Sequence, residues 1–120
     1  MKRKISYLWG MALLSVLASG CANRPPSLYQ WQGYQGNVDA YFSGDKVSLD
    51  AQTQAMETDL QKIIAGGGAV PPGYHAHLGL LYGEQGRLDQ FAEQVKVEKQ
   101  QYPEAETFMD FLLRNFKKQK

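Results

Sequence analysis

His75 and His77, the only two histidines of the chain, stand two residues apart in "GYHAHLGLLYGEQGRLDQF", residues 73–91. Two imidazoles can hold a metal ion when both reach one point. On a strand, residues two apart share a face. On a helix they sit about 200° apart around the axis and diverge, whereas a helical zinc pair uses i,i+4 spacing. Leu78, Leu81 and Tyr82 recur at helical spacing, so the sequence predicts a helix and no metal here. His75 is expected between paired helices, and His77 against solvent or a neighbouring segment. Other catalysis needs a nucleophile with its base, or a carboxylate pair in a cleft. The acids, among them Glu93, Glu98, Glu104 and Glu106, are scattered and read as solvated helix faces. The expectation is a protein that is not an enzyme.

The residue best suited to covalent chemistry is the single cysteine, Cys21. It follows "MKRKISYLWGMALLSVLASG", in which Lys2, Arg3 and Lys4 precede an apolar run over residues 5–17 and then small residues. That order is a signal peptide, and the run falls short of the roughly 20 apolar residues of a membrane span. "LASGC" resembles the bacterial lipobox, with Leu17 one place earlier than the pattern has its leucine. The resemblance implies acylation of Cys21, with Ala22 favouring the outer membrane over inner-membrane retention. Several acyl chains anchor far more firmly than one, and a consumed Cys21 leaves no partner for a disulfide. Removing residues 1–20 takes Lys plus Arg from 13 to 10 against 12 acids, so a net charge of +1 becomes −2. The mature chain carries no basic footprint for nucleic acid.

Behind the signal peptide (1–20), residues 21–47 read as a lipidated tether and aromatic leader, and residues 48–120 as a helical domain. Pro25 and Pro26 favour an extended backbone that would lift the domain off the membrane. Gly33, Gly36 and Gly44 break the leader, leaving extended and turn structure with one helical turn near Val38–Phe42. Ser48 caps "LDAQTQAMETDLQKIIA", whose Leu49, Met56, Leu60, Ile63 and Ile64 share a face. Gly66, Gly67 and Gly68 end that helix as a connector, for no Gly-Lys-Ser/Thr follows to make a phosphate loop. A second helix starts near Pro72 with Tyr74, Leu78, Leu81 and Tyr82 on its apolar face, and Gly83 and Gly86 mark its turn. A third buries Leu88, Phe91, Ala92 and Val95 and stops before Pro103. The last carries Ala105, Phe108, Met109, Leu112 and Phe116, with Phe111 and Leu113 widening the stripe. Lys117, Lys118 and Lys120 complement its negative end.

Residues 72–103 resemble a tetratricopeptide repeat, a 34-residue helical hairpin. Leu78-Gly79 with Tyr82 matches its L-G-x-x-Y core, Gly86 and Leu88 its turn, and Pro103 its closing proline. His75 stands at the usual tryptophan, Phe91 and Glu98 at alanines, and Val95 at a phenylalanine; Ala92 is the alternative small contact. Over nearly the whole mature chain, "SLYQWQGY", "PPGYHAHLGLLYGEQGRLDQF" and "EKQQYPEAETFMDFLLRNF" resemble a family of small Gram-negative lipoproteins, uncharacterised in function, with one such unit. Its members tend to be encoded beside a lipoprotein related to the curli secretion channel. The resemblance implies an accessory subunit of an envelope or secretion-channel assembly, with no catalytic residues to carry over.

The fold class expected is therefore all-α: a tetratricopeptide-like hairpin flanked by an N-terminal and a C-terminal helix, behind a signal peptide and an extended leader. One repeat cannot bury its own apolar faces, so flanking segments or another protein must close it. That points to an outer-membrane lipoprotein, facing the periplasm, which presents a helical interaction module to a protein partner. Tyr74, His77, Tyr82 and Phe111 are the candidate contacts, each with core packing as its alternative. No cofactor beyond the lipid on Cys21 is expected. A periplasmic ligand-binding protein or enzyme is the competing reading, and tethering to the envelope a third.

Overall fold

The first helix forms where glycines argued against one. In a computed structural model of the chain, which describes residues 26–44 and 46–118, α1 spans Tyr34–Ser43 and runs through Gly36. Nothing lies within 4 Å of the space a Gly36 Cβ would fill. That glycine faces solvent and costs only its propensity, about 1 kcal/mol. Tyr34 and Tyr41, two turns apart on one face, pack against the core and offset that cost. Gly44 ends the helix in the left-handed conformation (φ 69°). The leader is extended only ahead of α1, where the Gln30 N–H donates to the Ala69 carbonyl (2.9 Å). The packed body thus begins ahead of Ser48, and the single helical turn expected near Val38–Phe42 is a helix of ten residues.

Helix α2 spans Leu49–Ala65, and one of its free N-terminal donors is met by Ser48, whose hydroxyl accepts from the Ala51 N–H (3.2 Å). Met56, Leu60 and Ile63 are buried as their spacing predicts, together with Gln52 and Thr53. Ile64 is exposed, a correction to its place on that face. Each of the two buried polar residues makes a hydrogen bond: the Gln52 amide donates to the Val47 carbonyl (3.0 Å), leaving its own Oε1 buried without a partner, and the Thr53 hydroxyl accepts from the Gln85 amide (2.6 Å).

Helices α3 (Tyr74–Glu84) and α4 (Leu88–Gln101) form the predicted hairpin, turning at Gly86 (φ 75°). A Cβ on Gly79 would stand 3.2 Å from the Gln94 Cβ, so glycine lets the two helices approach this closely. Phe91 and Val95 are buried there, whereas Ala92 is exposed and Leu88 half-buried. A 3₁₀ turn over Pro103–Ala105 precedes α5 (Glu106–Lys118). Of the α5 apolar stripe only Met109 is fully buried; Ala105, Leu112, Leu113 and Phe116 pack partly on the core and Phe108 stands in solvent. Helix α5 rests on the rim of the bundle, which has no room for the whole stripe.

The chain is all-helical over the described residues, and its centre is α3. Eight of its eleven residues are buried, which is the pattern of a helix surrounded on all sides. No described helix is long and apolar enough to cross a membrane. The signal peptide, Cys21 and Lys120 lie outside the described residues.

Candidate functional site

Because α3 is buried on several faces, its polar side chains depend on partners inside the protein, which the tyrosine hydroxyls find and the Nε2 atoms of His75 and His77 do not. Tyr74 donates its hydroxyl to the Met56 carbonyl (2.8 Å), which fixes α3 to α2. Tyr82 donates to the Glu57 carboxylate (2.5 Å) and lies under the Arg87 guanidinium (4.4 Å); burial first, then the Glu57 hydrogen bond, push its hydroxyl up to about 12. The imidazoles diverge as a helix requires. His75 pairs with Gln94 on α4 through Nδ1 (2.7 Å), between the paired helices. His77 turns to α1, edge-on to Tyr34 (6.3 Å) and Tyr41 (5.3 Å).

The N-terminus of α3 lacks a capping side chain of its own, since Gly73 precedes it in the left-handed conformation (φ 85°). Glu98, reaching over from α4, supplies the acceptors: Oε1 takes the Gly73 N–H (2.6 Å) and Oε2 the Ala76 N–H (3.3 Å). Its carboxylate is only 2 % exposed and sits where the helix dipole favours negative charge. Reading Glu98 as a solvated surface acid is thereby corrected. A Cβ on Gly73 would stand 2.8 Å from the Tyr34 hydroxyl, so this glycine also admits α1.

Over this cap opens a groove of about 240 Å³. Tyr34, Val38 and Phe42, one per turn, make its α1 wall; Phe108 and Leu112 make the α5 wall; Gly73, Ala76, His77 and Leu80 form the floor. Phe42 is 75 % exposed, Phe108 57 % and Phe111 49 %, with the rings of Phe108 and Phe111 stacked (6.3 Å). His77 is 7 % exposed, and its Nε2 is buried without a hydrogen-bond partner in the protein. The site can therefore receive apolar side chains along its walls.

Of the sequence-predicted contacts, Tyr74, His77 and Tyr82 are buried and Phe111 is exposed. Tyr74 and Tyr82 lie in the core, their stated alternative, and His77 contributes to the groove floor. Phe42 and Phe108 are groove residues that sequence reasoning missed. Phe42 closes the single helical turn expected near Val38–Phe42, with no sign in the sequence that it faces a groove, and Phe108 belongs to the stripe expected to face the core.

Burial holds the His77 imidazole below its ordinary pKa, and the side chains facing it, Tyr34 and Tyr41, offer no carboxylate in direct contact. The folded protein then resists a proton that the unfolded chain accepts near pH 6.5. Stability is full above that value and falls as the pH drops from 6.5 toward the lower folded pKa, by no more than about 1.4 kcal/mol per pH unit. His77→Gln is expected to flatten this slope in melting temperatures recorded between pH 7.5 and 5.

The profile of a family described as "Domain of unknown function (DUF4810)" matches residues 28–112. No curated protein and no solved structure matches the chain.

Proposed function

From the premise that the chain belongs to the DUF4810 family, we propose that it is an outer-membrane lipoprotein without catalytic activity, acylated at Cys21, that docks a periplasmic protein partner in the groove between α1 and α5. The partner implied by the sequence resemblance is a channel-forming lipoprotein related to the curli secretion channel. The observation that carries this reading is the groove: two exposed phenylalanines, Phe42 and Phe108, line an apolar trough, and Phe111 stacks on Phe108 beside it. Exposed apolar surface of this kind marks partner sites.

Size favours a protein segment over a free small molecule. Pockets that enclose drug-sized ligands run from about 300 to 1,000 Å³, and this trough is both smaller and open. Two or three apolar side chains from a partner helix would fill it.

A photo-crosslinking residue placed at Phe42 or Phe108 in the acylated chain, in intact cells, is expected to trap one discrete protein. The same residue at Gln54, on the exposed face of α2, is expected to trap none. Phe42→Ser together with Phe108→Ser should lower co-purification of that protein at least about tenfold, since burial of each phenylalanine contributes roughly 1.5–3 kcal/mol. Equal trapping from Gln54, or full co-purification by a folded double variant, would refute the docking role.

A further inference from the structure

The end of the bundle from which the tether leaves is built from three segments without a charged residue. These are residues 26–38, residues 63–83 and residues 100–103. They meet there by direct contact: Gln30 pairs with Ala69, the Tyr102 hydroxyl donates to the Val70 carbonyl, and the Tyr29 ring lies edge-on to Tyr102 (6.3 Å) and to Trp31 (6.2 Å). Leu28 is 76 % exposed at this end, Ile64 57 % and Trp31 37 %. The nearest cations are already paired, Lys62 with Asp59 (3.0 Å) and Lys99 with Asp110 (2.8 Å) and Glu106 (3.3 Å). These uncharged segments, with projecting aliphatic and indole groups, make an apolar strip that is unusual for a surface facing water; its bordering charges are the Lys62–Asp59 pair and the exposed Glu104 and Glu106.

We infer that this end is a membrane-seating face, with Leu28, Trp31 and Ile64 resting in the headgroup region of a phospholipid bilayer. The inference rests on acylation of Cys21. Only five peptide units separate Cys21 from Pro26, and even a fully extended chain spans no more than about 18 Å over that length. Because the packed body starts near Leu28 rather than at Ser48, the tether lifts it far less than a 27-residue leader would. Indole and phenol rings favour the membrane–water interface, and contact there removes the exposed Leu28 and Ile64 from water. Helices α1 and α5 both start at this end, with Tyr34 and Glu106. The docking groove between them would then rise from the bilayer, with Phe42 at the distal end.

The test uses the full chain carrying Trp9→Phe, so that Trp31 is the sole indole whether or not the signal peptide is processed. The chain is purified from membranes, its mass recorded, and reconstituted in phosphatidylethanolamine–phosphatidylglycerol vesicles with and without lipids brominated near the headgroup. Trp31 emission is expected to fall at least roughly twofold in the brominated vesicles, as for an indole at the interface. Leu28→Glu with Ile64→Glu, two exposed positions, should abolish that quenching while helix content by circular dichroism stays unchanged. An acylated chain whose Trp31 is quenched by aqueous iodide but not by brominated lipid overturns the seating face and leaves the anchor standing. A chain without acyl mass on Cys21 overturns both.

Discussion

Glu98→Ala lowers the stability of the helical body by about 2–4 kcal/mol, because two buried helix-terminal donors lose their acceptor at once. The Gly73 and Ala76 amides both point at this carboxylate (2.6 and 3.3 Å), and no other side-chain cap serves α3. Each orphaned donor costs roughly 1–3 kcal/mol, and loss of the favourable charge at the dipole adds to that. The full sum is not reached, since removing a buried carboxylate also relieves its own desolvation. Glu98→Gln keeps the volume and one acceptor but turns an amide donor toward a backbone N–H, so its stability should fall between the two. Urea titrations with an unchanged m-value would establish that only stability moved. A glutamine variant as stable as the wild type would show that the charge contributes nothing.

The same residue shows how far the sequence could be read. Pro71-Pro72-Gly73 ahead of α3 contains no Ser, Thr, Asp or Asn, so the missing cap was visible as an absence. Phe91, Val95 and Glu98 fall at i, i+4 and i+7, which places the carboxylate on the buried face of α4. Combined, the two signals predict a cap supplied across the hairpin; taken separately, they left Glu98 among surface acids. The hairpin and α2 were legible because their apolar spacing, Ser48 and the glycine stops all agree. The α1 helix was not, since Gly36 inside it and Gly33 and Gly44 at its ends weaken local propensity and its support comes from tertiary contacts of Tyr34 and Tyr41.

Stripe width misled in the opposite direction. Ile64 and Phe108 extend apolar faces in the sequence, yet a bundle this small cannot cover the edges of every stripe. Periodicity gives the direction a residue faces on its own helix; whether another helix covers it depends on crossing geometry. The groove consists largely of such uncovered edges. Its walls come from α1 and α5, the two helices farthest apart in the described chain, so no local pattern could have announced it.

Tyr74→Ala is the other large effect, a loss of about 3–5 kcal/mol, and its comparison with Tyr74→Phe separates core from contact. The side chain is fully buried, its ring tilts against Tyr34 at 5.1 Å, and its hydroxyl reaches Met56 on α2. Phenylalanine retains the ring and loses one hydrogen bond, worth about 0.5–1.5 kcal/mol. Burial, more than the nearby Asp59 and Tyr34, raises the hydroxyl well above its ordinary pKa. The unfolded chain ionises it near pH 10 while the folded one does not, so alkali above that value destabilises the wild type, and Tyr74→Phe should lose part of this sensitivity. A double-mutant cycle with Tyr34→Ala should return a coupling of about 0.5–1.5 kcal/mol if α1 is packed on α3 through these rings. Partner trapping at Phe42 should survive Tyr74→Phe, because the ring that supports the groove wall through Tyr34 is still present. Its loss in a folded Tyr74→Phe protein would instead make the hydroxyl part of the recognition surface and displace the groove from that role.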